Sequence, residues 1–162
     1  IPETYKLKTV FQVPNDVATI AAIKSTNRLS KIIGRMEALD SGFQDGILLN
    51  DRGQITEATS GNIFWVDQDS KLTTVLPDCG LLEGITKKAL AKALKEKKFA
   101  VREAVITPQE LASMPEVFLT NSVVGIMPVT HIDDIEINGG EIGNITCMIQ
   151  DVWNKKIEAL TL

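Results

Sequence analysis

Four short runs rich in apolar residues, 45–49, 54–58, 62–66 and 72–76, follow one another with only tight polar turns between them. That succession constrains the fold more than any other feature. Runs of about five residues are too short for stable helices but suit strands. The turn Asn50-Asp51-Arg52-Gly53 makes the first two a hairpin, and Asp67–Ser70 separates the last two. A further strand is expected over Tyr5–Val13, ended by Pro14-Asn15-Asp16, with others at Phe99–Val105, Val117–Thr120 and Ile126–Thr130. Helices are expected at 27–39, where Leu29, Ile32, Ile33, Met36 and Leu39 recur at helical spacing, and at 86–97, 108–114 and 142–159. Strands outnumber helices and do not alternate steadily with them. The expected fold class is α/β with an α+β-like character, a mixed sheet curled like a barrel with flanking helices.

Size and composition narrow the function classes. A 162-residue chain with 44% hydrophobic and 23% charged residues has material for a real core. Net charge is −4, and Lys and Arg are scattered, so no basic patch suggests nucleic acid or an anionic membrane surface. The apolar run Val17–Ile23 is far too short to span a bilayer. Cys79 and Cys147 stand outside any CxxC spacing, which suggests a reducing cytoplasm, and the lone His131 cannot supply a metal cage. No metal site is expected. The chain opens Ile1-Pro2-Glu3-Thr4 without an initiator methionine and reads as part of a longer protein.

Four features could carry chemistry. Lys24 follows the apolar run and precedes a helix; partial desolvation there would make a neutral, nucleophilic amine accessible. The ordinary alternative is a solvated lysine at a helix entrance. Glu57 sits on a strand and is followed by the small residues Ala58-Thr59-Ser60-Gly61 and then Asn62, which would let a flat group approach the backbone. It could equally be a strand acid before a turn. Gly84-Ile85-Thr86 opens a helix whose free amides could seat a phosphate, unless Thr86 is simply the N-cap. Thr120-Asn121-Ser122 places three small polar groups at the end of a buried strand, where a ligand or an ordinary loop could satisfy them.

Together these residues resemble a known pattern. Lys24, Glu57 33 positions later, Asn62-Ile63-Phe64, Gly84-Ile85-Thr86, and Asn121-Ser122 with Pro128 are similar in order and spacing to the fold-type IV (class IV) pyridoxal-phosphate enzymes. That family includes branched-chain and D-amino-acid aminotransferases and aminodeoxychorismate lyase. Asn27-Arg28-Leu29, the pair Phe64-Trp65, and the stretch Phe118–Ser122 through Gly125–Val129 lean toward the lyase. The resemblance implies that Lys24 bonds to the pyridoxal 5'-phosphate aldehyde and then serves as acid and base. It implies that Glu57 pairs with the pyridine nitrogen and Arg28 stands near the ring oxygen. Ile85, Thr86 and Ser122 would hold the phosphate, with Asn62 and Asn121 bordering the substrate.

It further implies that residues 1–162 form the large C-terminal domain, after a smaller N-terminal domain that contributes an arginine. A cytoplasmic homodimer acting on a small amine or amino acid, with a place in folate biosynthesis or amino-acid metabolism, completes the expectation. A non-catalytic metabolite-binding or scaffold domain is the alternative from another class.

Overall fold

The computed structural model describes residues 2–12, 22–26 and 28–161. The turn Pro14-Asn15-Asp16, most of the Val17–Ile23 run and Asn27 lie outside the described residues. Among the described residues, nine strands form one mixed sheet: β1 (Tyr5–Gln12), β2 (Asp45–Leu49), β3 (Ile55–Ala58), β4 (Asn62–Val66), β5 (Leu72–Val75), β6 (Val101–Ala104), β7 (Glu116–Asn121), β8 (Gly125–Ile132) and β9 (Ile135–Glu136). The helices are α1 (Leu29–Asp40), α2 (Ile85–Glu96), α3 (Pro108–Ala112) and α4 (Asn144–Thr161). The spatial order is β3-β2-β1-β8-β7-β4-β5-β6, with β9 paired to β8. Parallel pairs (β1 with β2 and β8, β5 with β6) mix with antiparallel ones.

The sheet curls until its edges meet. The amide of Ile55, first residue of β3, donates to the carbonyl of Ile106, two positions past β6, at 2.9 Å. Strand alternation then sorts side chains into an inside and an outside. Ile63, Trp65, Val117, Leu119, Met127 and Val129 join Leu7 and Ile47 in the inner cluster. Their neighbours Phe64, Val66, Phe118 and Ile126 turn outward and are covered by Leu90 and Leu94 of α2 and Ile149 of α4. Phe64 and Phe118, both fully buried, stack with ring centroids 5.1 Å apart. Pro128 sits in a central strand because its missing donor is not needed: opposite Phe118 on β7, it lies one residue short of where β1 begins pairing at Val129.

Helix α1 departs from the expectation. Its apolar stripe does not face the sheet: Leu29, Ile32, Ile33, Met36 and Leu39 are all at least half exposed in this chain. The face against β1 and β2 carries Gly34 and Ala38, with Lys31 and Arg35 at its margin. Close packing selects that face. A Cβ on Gly46 would meet the Gly34 carbonyl oxygen at 3.0 Å, so the helix lies almost on the β2 backbone, where only small residues fit. Lys31 and Arg35, one turn apart, are thereby carried down onto the sheet.

Candidate active site

The site is built outward from Glu57. Near the end of the edge strand β3, its side chain is only 5% exposed. Its Oε1 accepts a hydrogen bond from Lys31 Nζ on α1 at 2.7 Å and one from the Leu82 amide at 3.3 Å. Burial pushes the carboxyl pKa up, and the Lys31 charge and hydrogen bond, the Leu82 amide and the Arg28 charge pull it back without cancelling the rise.

A chain of hydrogen bonds leads from this carboxylate to the start of α2. Asn62, first residue of β4, donates from Nδ2 to the Leu82 carbonyl at 2.7 Å, and its Oδ1 accepts from the Gly84 amide at 3.1 Å. Gly84 is the N-cap of α2 and makes no side-chain cap. A Cβ there would strike Asn62 Oδ1 at 2.4 Å, so glycine is required for this approach. Thr86 is therefore not the N-cap but the second helical residue, and its side chain is not engaged in capping. Thr86 is buried, whereas Ile85 projects into solvent. Helix starts of this kind present unpaired amides and the positive dipole end to an anion.

Beside this set lies a cavity of about 410 Å³. Lys24, Arg28, Lys31 and Arg35 line one side of it. Thr59, Ser60, Asn121 and Ser122 line the other. Lys31 is bound to Glu57 and Arg35 to Asp45, at 2.7 and 3.2 Å. No ion pair among the described residues involves Lys24 or Arg28, so their charges face the cavity and favour an anionic ligand. Lys24 is exposed, on the connection ahead of α1 rather than within an apolar pocket. The expected desolvation is not observed, because the described residues before α1 (22–26) are all exposed and give it no cover.

A second buried carboxylate shapes the far wall. Asp45, fully buried at the start of β2, accepts from the Gly46 amide at 2.8 Å and from the Thr59 and Ser60 hydroxyls. Ser60 Oγ accepts in turn from Asn121 Nδ2 at 3.4 Å, and Asn121 Oδ1 accepts from the Val123 and Val124 amides at 2.9 Å each. The turn carrying Ser122 thus hangs from β2 through three side chains. Gly61 permits it: a Cβ there would meet the Thr120 carbonyl oxygen at 2.5 Å.

Of the residues singled out in the sequence, Lys24, Arg28, Asn121 and Ser122 share the cavity. Glu57 and Asn62 belong to the adjoining bonded set, which Lys31 joins to the cavity, and Ile85 and Thr86 follow its last member, Gly84, as the first two residues of α2. Trp65 is elsewhere, lining a separate cavity of about 330 Å³ with Thr73 and Arg102. Sequence reasoning missed Lys31, Arg35, Asp45 and the Leu82 amide. The spacing Arg28, Lys31, Arg35, three and then four residues apart, is the signal that marks one basic helix face.

The family model for amino-transferase class IV matches residues 2–132. The chain belongs to the class IV aminotransferase family. Pyridoxal phosphate is the cofactor of that family. A "probable branched-chain-amino-acid aminotransferase" of Aquifex aeolicus is 37% identical over 126 residues, 77% of this chain and 40% of the relative. Among solved structures, a Legionella pneumophila chain provisionally named 4-amino-4-deoxychorismate lyase superposes with a TM-score of 0.87 at 27% identity, over 96% of this chain and 57% of that one. The branched-chain aminotransferase of Thermoproteus uzoniensis, solved with norvaline, gives 0.85 at 26% identity, over 94% and 51%. Another branched-chain amino acid aminotransferase, complexed with N-(5'-phosphopyridoxyl)-L-glutamate, gives 0.84 at 25% identity, over 93% and 51%. The chain thus spans roughly half the length of the relatives it matches.

The site fits the family's cofactor on its own terms. An uncapped helix start suits a phosphate, a buried carboxylate suits a protonated ring nitrogen, and an exposed amine in the adjoining cavity suits an aldehyde.

Proposed function

We propose that this chain carries the cofactor-binding half of a pyridoxal-phosphate enzyme that releases pyruvate from 4-amino-4-deoxychorismate and leaves 4-aminobenzoate. One observation carries the site assignment: Lys24 and Lys31 line one cavity, Lys31 binds Glu57, and that carboxylate is tied through Leu82 and Asn62 to the uncapped start of α2. When bound, pyridoxal phosphate supplies an aldehyde for an amine and a ring that accepts the electron pair left on the amine-bearing carbon.

The chain's own groups do the rest. The Ile85 and Thr86 amides, with the Thr86 and Ser122 hydroxyls, bind the phosphate. Glu57 holds a proton at the ring nitrogen, and Arg28 donates to the ring oxygen. Lys24 would supply the amine for the aldehyde and, when free, would take the proton from the amine-bearing carbon. In the lyase reaction the bond to the enolpyruvyl oxygen then breaks, the substrate ring becomes aromatic, and the departing enolpyruvate takes up a proton to become pyruvate. Asn121 and Asn62 border the substrate, Asn62 through the loop it anchors.

The lyase assignment is supported by Arg28 and Asn121-Ser122 at the cavity and by the Legionella fold neighbour. Trp65, remote from the cavity, adds no support. A second reading, amino transfer from branched-chain amino acids, is favoured by the 37% identical Aquifex relative. For the whole protein we propose a preceding domain that adds an arginine to the phosphate site, within a cytoplasmic homodimer. Side-by-side assays of that protein separate the readings. 4-Aminobenzoate formed faster than leucine is converted to its keto acid supports the lyase; robust leucine turnover with no 4-aminobenzoate overturns it.

A further inference from the structure

Lys31 lies between the two halves of the site. It lines the cavity that holds Lys24, and its side chain, 22% exposed, touches the buried Glu57 through the ammonium. Both bonds to Glu57 among the described residues, from Lys31 and from the Leu82 amide, end on Oε1. Oε2 accepts none of the described bonds and is left for another donor. The contact is built into the fold. Gly34 and Ala38 let α1 settle onto the sheet, and the two basic residues on that margin, Lys31 and Arg35, each reach a buried carboxylate, Glu57 and Asp45.

Resting on the function proposed above, we propose that Lys31 is a positioning residue: it acts as a built-in counter-charge that keeps Glu57 ionised, fixes Oε2 as the oxygen offered to the cofactor's ring nitrogen, and tunes how tightly that nitrogen holds its proton. The physical argument is one of charge balance. A buried carboxylate with no cation nearby takes up a proton. With Lys31 beside it, Glu57 keeps its charge to a lower pH than burial alone would allow. Once a ring nitrogen is present, one carboxylate faces two positive groups, so the Lys31 charge makes the ring proton easier to lose. The groups facing Glu57 among the described residues are Lys31 from α1, Arg28 from the connection ahead of α1, and the Leu82 amide from the loop before α2, with Lys24 in the same cavity. The contact with Glu57 also occupies the Lys31 amine, which leaves Lys24 as the cavity lysine free of an ion pair among the described residues.

Lys31→Met and Lys31→Arg test this, with Lys31→Gln in place of the methionine variant if that does not fold. In protein loaded with ¹⁵N-ring-labelled pyridoxal phosphate, nitrogen NMR across a pH titration should show the ring nitrogen of Lys31→Met losing its proton at a pH about one unit higher than in the unaltered protein, a roughly tenfold change in proton affinity. In cofactor-free protein, the Glu57 side-chain carbon should titrate higher by a similar amount, and Lys31→Arg should restore both values. A lysine with a merely structural role would lower the melting temperature and move neither titration. Normal loading with both titrations unmoved in a folded neutral variant overturns the Lys31 proposal alone. Failure of the unaltered protein to take up pyridoxal phosphate overturns the proposed function, while the cofactor-free Glu57 titration still decides whether Lys31 controls that carboxylate.

Discussion

Glu57 shows how one residue can be held in a costly state for a purpose. Its carboxyl pKa is raised above the ordinary glutamate value of 4.5, so the folded chain binds more protons than the unfolded one as pH rises from that value. Stability contributed by the protonated carboxyl is present below 4.5 and declines as pH climbs through the raised pKa. Glu57→Gln removes this dependence. Urea denaturation at several pH values should show the variant gaining stability relative to the unaltered chain as pH rises through that window; parallel curves would contradict the shift. Loaded with cofactor, the same variant should lose about 100-fold in turnover, the scale of a preorganised electrostatic contact. At the phosphate end, Thr86→Ala and Ser122→Ala should each weaken pyridoxal phosphate binding by about 1–3 kcal/mol, measured by equilibrium dialysis. Unchanged dissociation in both would move the phosphate elsewhere.

The elements are legible in the sequence to different degrees. Strands β4, β7 and β8 are buried on both faces, and their short apolar runs are local signals that the sequence carries openly. Boundaries differ by a residue or two, as in β3, which starts at Ile55 rather than Gln54, and α4, which runs Asn144–Thr161. For helix α1, periodicity finds the right place and the wrong inward face. An apolar stripe normally points to the core, but here Gly34, Ala38 and Gly46 set the distance, and small residues leave no periodic hydrophobic signal. Lys31 and Arg35 escape notice for a related reason, since their partners lie 26 and 10 positions away and only the packed helix brings them together. This orientation predicts a contrast. Ala38→Leu, at a fully buried position, should cost about 1–3 kcal/mol by overpacking. Met36→Ser, at a position 57% exposed, should stay within about 0.5 kcal/mol in this chain. Equal losses in thermal denaturation would mean that the apolar stripe is the packed face.

Over the whole molecule, the curled sheet brings distant parts of the chain to one end. The connection before α1, the end of β3, the start of β4, the first turn of α2 and the turn after β7 contribute Lys24, Glu57, Asn62, Thr86 and Ser122 in turn. The family resemblance pointed to those positions by their order and spacing. It could not reveal the two buried carboxylates' partners, Lys31 and Arg35, because these follow from how closely α1 packs in this chain. Two lysines line one cavity, and we propose different work for them, Lys31 as a counter-ion and Lys24 as the nucleophile. Borohydride reduction of the pyridoxal-phosphate-loaded protein, followed by peptide mapping, tests that assignment directly. A single cofactor label on Lys24 with Lys31 unmodified is expected; a label on Lys31, or on no lysine at all, would overturn the proposed roles.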